Sequence, residues 1–325
     1  MGRLLRVLAD RLQTGTPVAD RVLSWPGDIG SSGQSVPLRL AGALHRLVLA
    51  GLDAPLTAAY PPNMVDDDRL WAAVSNALDS HAPRLLDWLA SPPQTNELRR
   101  ASVLIAAGHR LTAAHQLPIM LSELGASAGL NLNWDRFALD IAGHRLGPPD
   151  ARVRLSPNWT GQLPERSRPE VVDKRGVDLR PVDLENEHDR LRLLSYLWPD
   201  QPDRMALTEN AISLPRPPVD RADAIDWLET RLTQQPEGTL HLVYHTIAWQ
   251  YFPKEAQQRG TALLAEAGQK ATETRPLAHL SMEADGDGPG AGLTLTTWPG
   301  GAQLPLGRAD FHGRWVDWHA PPRFG

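Results

Sequence analysis

The sequence contains no cysteine among its 325 residues. This absence excludes disulfides, thiolate metal sites, iron–sulfur clusters and cysteine nucleophiles, so a zinc site could use only His, Asp and Glu. Positive charge is not in excess either, because 33 Lys and Arg stand against 38 Asp and Glu and the formal net charge is −5. No nucleic-acid partner is therefore expected, although this charge does not exclude a nucleotide or a modified tRNA as a substrate.

Long apolar runs are also missing. No stretch of 18 apolar residues occurs, so no membrane-spanning segment is predicted. The first residues lack the apolar core and the small-residue cleavage site of a signal peptide, and Arg6 stands where the myristoylation pattern requires Ser or Thr. We therefore expect a cytoplasmic protein with no membrane association.

Apolar residues nevertheless make up 42% of the chain, which is enough for a sizeable core. They recur at helical spacing near 3–12, 37–52, 66–79, 83–90 and 96–114. No segment in this part has a clear strand pattern. We predict a helical N-terminal region over residues 1–115 and a second domain over residues 116–325.

The pattern changes at Pro118, after which Ile119–Leu124 predicts a buried strand. Further strands are predicted at 176–179, 239–247 and 276–282, a hairpin near 137–143, and helices near 187–198, 222–234 and 254–270. Strands that alternate with helices predict a mostly parallel α/β sheet. The alternating segments 293–298 and 314–318 predict an antiparallel hairpin at its C-terminal edge.

A small-residue turn follows the first predicted strand, in the segment Ser122–Asn131, which reads SELGASAGLN. Glycine lets a backbone turn sharply and lets a ligand approach closely, and a following helix start offers free N–H groups. The spacing matches the dinucleotide fingerprint G-x-G-x-x-G poorly, because Leu130 stands at its third position. Two other ligand-binding or catalytic interpretations of the turn remain.

The first is the nucleophile elbow G-x-S-x-G of serine hydrolases, with Ser127 as the nucleophile. Asp178, Asp223, His279 and His312 follow in the order Ser, Asp, His. Hydrolases of that fold have several strands before the elbow, whereas a helical region precedes this one, and no HGGG-type oxyanion segment is present. A serine esterase that uses Ser127 is one alternative function.

The second interpretation is a resemblance to the donor-binding turn of class I S-adenosylmethionine-dependent methyltransferases. In that family the first strand ends in an acidic residue, and glycines follow at alternate positions. Glu123, Gly125 and Gly129 match this pattern, and Ser127 replaces the middle glycine. The resemblance implies a Rossmann-like fold with S-adenosylmethionine as cofactor, in which a carboxylate compensates the sulfonium charge.

The same resemblance implies roles for later residues. Asp178, after the second strand, would hold the ribose hydroxyls, and Asp223–Ala224 would lie near the adenine amino group. His245, at the end of the fourth strand, would be a general base beside the donor methyl. The implied donor site comprises Glu123, Gly125, Ala126, Ser127, Gly129, Asn131, Asp178, Leu179, Asp223, Ala224 and Tyr244.

Three aromatic residues, Trp134, Trp249 and Tyr251, are candidates to line the acceptor pocket, with core packing as the alternative for each. No metal site is expected, because His241 and His245 would lie about 13 Å apart along a strand. The segments ELGASAGLN, RGVDLRPVD, YHTIAWQYFP and HGRW also resemble an uncharacterised bacterial family known as a domain of unknown function. That resemblance spans about 118–318 and implies a methyltransferase-like fold.

The predicted function is therefore transfer of a methyl group from S-adenosylmethionine to a small-molecule acceptor. The helical N-terminal region would cover the acceptor side of the second domain. Besides the esterase, a non-catalytic module that binds a nucleotide or a partner is an alternative. The residue pattern predicts neither the acceptor nor the oligomeric state.

Overall fold

A computed structural model of the chain describes residues 1–30, 33–94 and 96–320. The chain divides into two compact units. The first comprises Met1–Thr95 and Val182–Ala206, and the second comprises Asn96–Pro181 and Leu207–Gly325. Within the described residues, no helix is both long and apolar enough to cross a bilayer.

The α-helices, in chain order, are α1 (Gly2–Arg11), α2 (Pro17–Leu23), α3 (Val36–Leu49), α4 (Ala54–Ala59), α5 (Asp67–Ser80), α6 (Ala82–Leu89), α7 (Ala101–His115), α8 (Glu187–Ser195), α9 (Pro202–Ile212), α10 (Ala224–Leu232) and α11 (Lys254–Gln269). The strands are β1 (Ile119–Leu124), β2 (Ala138–Ile141), β3 (His144–Leu146), β4 (Arg154–Leu155), β5 (Asn158–Gly161), β6 (Val171–Asp178), β7 (Val219–Arg221), β8 (Leu240–Thr246), β9 (Leu277–Glu283), β10 (Ala291–Trp298), β11 (Ala302–Ala309) and β12 (Trp315–Trp318).

The first unit is helical, and the apolar faces that the sequence predicts form its core. Leu4 and Leu8 of α1, Leu44 of α3, and Leu70 and Val74 of α5 belong to one buried cluster. Each helix buries one stripe because apolar residues recur every three or four positions. The start of α5 is capped, since the carboxylate of Asp66 accepts a hydrogen bond from the N–H of Arg69.

The second unit is built on a nine-stranded sheet with the order β5-β12-β11-β10-β9-β8-β1-β6-β7. Strands β7, β6, β1, β8 and β9 pair in parallel, and β9, β10, β11 and β12 pair antiparallel in succession. The segment from β7 to β10 follows the doubly wound order 3-2-1-4-5-6. The predicted Rossmann-like, mostly parallel sheet with antiparallel C-terminal strands is therefore confirmed.

Its C-terminal edge differs from the prediction. The segments 293–298 and 314–318 do not form a hairpin with each other, because β11 lies between β10 and β12. Pro305 and Gly307 fall within β11, so its sequence does not alternate regularly. The sheet also ends on β5, which pairs in parallel with β12 and which the sequence did not indicate. The predicted hairpin near 137–143 forms as β2 and β3, in a separate three-stranded sheet.

The two faces of the large sheet have different coverings. Leu124, Val177 and Val243 face α10 and α11, where they pack with Leu228 and Leu264. We call this the α10 face. Side chains of the neighbouring strand positions point to the other face, where the 3-10 helix Leu130–Arg136 lies; there the ammonium group of Lys174 bonds Asn133.

Candidate functional site

The order of the parallel strands reverses at β1, which pairs with β6 on one side and β8 on the other. Open α/β sheets bind ligands outside the carboxyl ends of their strands at such a switch point. Glu123, Asp178 and Tyr244 all lie at these strand ends, in β1, β6 and β8.

The turn after β1 has an unusual backbone. Gly125 and Gly129 have φ angles of +74° and +71°, which glycine adopts without steric cost. Ser127 also has a positive φ of 54°, and Ile247, just after β8, has a φ of 52°. A β-branched residue in the left-handed region is a genuine outlier. Because strained residues cluster at functional sites, the ends of β1 and β8 are candidates for one.

The chain itself fills the space beside both glycines. A Cβ on Gly125 would lie 2.6 Å from the Cβ of Ala248, and a Cβ on Gly129 would lie 2.7 Å from Cγ2 of Val219. Glycine at these positions thus allows the loop after β8 and strand β7 to pack tightly on the turn. Direct approach of a ligand is not needed to explain the two glycines.

Asp178 holds the turn to the end of β6. Its Oδ2 accepts a hydrogen bond from the N–H of Ser127, and its Oδ1 accepts one from the N–H of Arg180, both at 2.8 Å. Leu179, which lies between Asp178 and Arg180 in the chain, is 69% exposed. Asp178 therefore lies against the turn after β1, and its contact with ribose hydroxyls stays a prediction.

Glu123 and Tyr244 form a buried pair across β1 and β8. The hydroxyl of Tyr244 donates to Oε2 of Glu123 at 3.4 Å. Burial raises the pKa of Glu123 well above its ordinary value, and the charge of Asp178 adds to that effect, although Tyr244 and Arg100 oppose it. Burial therefore shifts Glu123 toward its neutral form, whereas a nearby cation shifts a carboxyl toward its charged form.

Two buried polar atoms of the turn segment lack a hydrogen-bond partner in the described structure. They are Oγ of Ser127, whose residue is 5% exposed, and Oδ1 of Asn131, whose residue is 2% exposed. The amide nitrogen of Asn131 is used, since it donates to the backbone oxygen of Glu97 at 3.3 Å. A buried unsatisfied polar atom costs about 1–3 kcal/mol. Two such atoms in one turn indicate that a water or ligand group completes them.

The segment before α7 joins the site, and the sequence analysis did not assign it there. Oδ1 of Asn96 accepts from the N–H of Leu130 at 3.0 Å. Arg100 donates to the backbone oxygen of Thr246 at 3.0 Å and to that of Phe311 at 2.8 Å. These bonds tie the turn, the end of β8 and the loop after β11 together. Helix α7 is the feature that could have indicated this contact. It has no exposed face from Ala101 to Leu111, so it lies inside the core. The polar residues just before it therefore lie at the end of that core.

The HGRW segment packs on the same region. A Cβ on Gly313 would overlap the backbone carbonyl of Arg99, and Gly313 has a φ of +67°. His312 Nδ1 lies 3.5 Å from Oε2 of the buried Glu97. The guanidinium of Arg314 pairs twice with Asp310, at 2.7 Å each. The HGRW segment is therefore a turn that packs over residues 97–100.

Asp223 and Ala224 have structural contacts. Oδ1 of Asp223 accepts from the N–H groups of Ile225 at 2.8 Å and Asp226 at 3.2 Å, so it caps α10. Ala224 is buried in the cluster on the α10 face. Their contact with an adenine stays a prediction.

His245 does not share a face with Tyr244. The two residues are adjacent in β8, so their side chains point to opposite sides of the sheet. Nδ1 of His245 lies 2.7 Å from Oε1 of Glu283, and Nε2 lies 3.0 Å from Nε2 of His279. Its ring stacks on Trp249, with centroids 4.8 Å apart. The proposed role as a base for the acceptor stays a prediction.

The three aromatic candidates are not brought together. Trp134 is buried, packs against Gly108 and lines a cavity of about 400 Å³ that His109 also lines. Trp249 lines a different cavity of about 370 Å³. Tyr251 is 74% exposed. A single acceptor pocket formed by these three side chains is therefore not present.

The structure does not assemble the elements of a serine hydrolase around Ser127. Its Oγ has no hydrogen-bond partner in the part of the chain that the structure describes, whereas an activated serine needs a base within hydrogen-bond reach. His279 is bonded to His245, and His312 lies beside Glu97. Among the described residues, no group of three or more His, Asp or Glu side chains could hold a metal ion.

Comparison with known proteins gives one result that covers nearly the whole chain. Residues 1–318 match the model of a protein family described as "Uncharacterized protein conserved in bacteria (DUF2332)". No curated protein matches the chain.

Proposed function

The chain thus belongs to the DUF2332 family, and from that premise we propose that its second unit binds S-adenosylmethionine at the turn after β1 and transfers the methyl group to a small acceptor. The observation that carries this proposal is the pair of unsatisfied buried atoms, Ser127 Oγ and Asn131 Oδ1, in the segment that follows Glu123 and that Asp178 holds through the N–H of Ser127. They lie at the switch point of a sheet with the strand order of nucleotide-binding folds.

The unsatisfied atoms suit a hydroxylated and aminated ligand. A serine hydroxyl can donate and accept, whereas an amide oxygen only accepts. A nucleoside with ribose hydroxyls and an amino group offers matching donors. Asp178 accepts one bond on each oxygen, and a carboxylate has about four acceptor positions, so it retains capacity for ligand hydroxyls.

Glu123 fits the cationic part of the donor. S-adenosylmethionine supplies a methyl group on a positively charged sulfonium. A nearby positive charge lowers the raised pKa of a buried carboxyl, so the bound donor would favour the charged form of Glu123, which would then serve as its counter-charge. Catalysis would then consist mainly of holding donor and acceptor in line.

Calorimetry with S-adenosylmethionine and its demethylated product tests the proposal. Wild-type protein should bind both. Asp178→Ala and Asn131→Ala should each weaken binding about tenfold or more, because each removes contacts from a buried polar site. Asp140→Asn, on the small sheet, is the matched control and should bind as the wild type does.

A methyl-transfer assay with labelled donor over a metabolite library then separates an enzyme from a binding module. Transfer to one acceptor class, lost in Asp178→Ala, is expected. Absence of donor binding to wild-type protein at millimolar ligand refutes the proposal. Labelling of Ser127 by a fluorophosphonate probe would instead support the esterase.

A further inference from the structure

A cavity of about 370 Å³ lies on the α10 face of the sheet, beside α11. Its lining includes His279 and Ser281 of β9 and Thr296 of β10, and Thr296 is the register partner of His279. Glu123 and Tyr244 point to the opposite face. The cavity is therefore separate from the proposed donor site.

A chain of hydrogen bonds ends in this cavity. Glu283 Oε1 accepts from His245 Nδ1 at 2.7 Å and from the N–H groups of Ala248 and Trp249 at 2.9 and 3.0 Å. Because a carboxylate only accepts, Nδ1 of His245 carries a proton and donates this hydrogen bond, and Nε2 of His245 shares a hydrogen bond with Nε2 of His279. That bond occupies Nε2 of His279, so Nδ1 is the ring nitrogen left for a partner in the cavity that His279 lines.

Neutrality of His279 agrees with this arrangement. Burial, with a smaller contribution from the neighbouring His245, lowers the pKa of His279 to about 3. The described lining contains no Lys, Arg, Asp or Glu. The cavity therefore offers hydrogen bonds without a fixed charge.

The indole rings of Trp249 and Trp298 lie beside the polar side chains of His279, Ser281 and Thr296, which we call the polar floor of the cavity. Glycines in α11 leave room for both rings. A Cβ on Gly260 would lie 2.5 Å from Cη2 of Trp249, and a Cβ on Gly268 would lie 2.5 Å from the ring of Trp298. Both tryptophans line the cavity and are only partly buried. The site thus combines flat apolar walls with hydroxyl and imidazole groups.

We propose that this cavity binds a neutral polyhydroxylated small molecule of the size of a sugar, with a hydrogen bond between Nδ1 of His279 and one of its hydroxyls. A sugar suits the site because each hydroxyl both donates and accepts, as the floor requires, and because its C–H faces pack on indoles. An ion would lose its hydration shell without finding a counter-charge. A cavity of this volume falls within the range of small-molecule sites.

The test is saturation-transfer NMR and titration with D-glucose and D-galactose, in the absence of any donor. Ribose is avoided because it forms part of the proposed donor. Both sugars, or one of them, should receive saturation from the wild-type protein. Thr296→Val and His279→Gln should each weaken that binding about two- to tenfold, since each removes or displaces one neutral hydrogen bond.

Thr297→Val is the matched control. It makes the same change on the same strand, but its side chain is on the opposite face. It should leave sugar binding unchanged. No saturation transfer to either sugar overturns the proposal, and so does binding that is equally strong in wild type, Thr296→Val and His279→Gln. Because no donor is present, failure of the methyl-transfer proposal does not alter this result.

Discussion

Replacement of Glu283 by glutamine should destabilise the second unit in a pH-dependent manner. Three donors meet on Oε1 of Glu283, namely the ring of His245 and the N–H groups of Ala248 and Trp249, at 2.7 to 3.0 Å. A hydrogen bond to a charged group contributes about 1.5–3 kcal/mol. The amide keeps one acceptor but loses the charge, so we expect a loss of about 2 kcal/mol at neutral pH and a fall in Tm of roughly 5 °C.

The pH dependence follows from the pKa of Glu283. Burial alone would raise it, but the hydrogen bond and charge of His245 and the two backbone N–H groups bring it below its ordinary value. A carboxyl whose pKa is lowered by folding stabilises the native state above its unfolded pKa, and this stabilisation is lost as pH falls through the folded pKa. The difference between wild type and Glu283→Gln should therefore be full at neutral pH and vanish in acid.

Thermal unfolding across that pH range measures both quantities. Glu266→Gln is the control, because Glu266 is exposed and pairs only with Lys270 one helical turn away, so its replacement should not change Tm measurably. A Glu283→Gln protein as stable as the wild type at neutral pH, or a difference that persists unchanged into acid, would show that this carboxylate does not anchor the loop.

Three further outcomes are expected. Gly313→Ala should lower the free energy of unfolding by about 2 kcal/mol or more, because its Cβ would overlap backbone at Arg99, whereas Gly286→Ala, with open space and a similar φ, should cost only about 1 kcal/mol in the same urea titration. Glu123→Gln should abolish the proton release that accompanies donor binding to wild type, as measured by calorimetry in buffers of different ionisation enthalpy; equal release from both proteins would refute the counter-charge role. The imidazole of His279 should not titrate between about pH 5 and 8 by NMR, since its pKa is about 3, and a normal titration would contradict the cavity's neutrality.

Local patterns predicted the parallel part of the sheet well. The run Ile119–Leu124 is bounded by a proline and a glycine, and it forms β1, the middle one of the five parallel strands β7, β6, β1, β8 and β9, with every residue buried. The turn after β1 contains positions with a positive φ, and the glycines at two of them indicate this in the sequence. Asp178 follows a short apolar segment and ends β6 beside that turn. Each of these signals lies within a few residues of the feature that it predicts.

Features that depend on distant pairing could not be predicted in this way. Strand β5 exists because β12, far along the chain, offers it an unpaired edge. Strand β11 shifts register against β10, and Pro305 and Gly307 obscure its alternation. Arg100 joins the site only because Thr246 and Phe311 present backbone oxygens to it.

The pleat of a strand limits how Tyr244 and His245 can act together. They are neighbours in β8, so their side chains face opposite ways, and the role of His245 beside the donor methyl stays a prediction. The period of two, applied to β8, separates the residues that face Glu123 from those that face His279. The acceptor side of the proposed reaction therefore needs a residue other than those facing α11, or a movement of the loop after β8.

The loop after β8 has a consequence for how the proposed donor site and the cavity on the α10 face affect each other. Two consecutive residues of this loop make contacts on different sides of the sheet. Ala248 packs against Gly125, and Trp249 stacks on His245. The single carboxylate of Glu283 fastens both through their amides. Displacing either residue strains a shared anchor, so an occupant on one side of the sheet would alter affinity on the other, and thermodynamic linkage requires the reverse effect to be equally large.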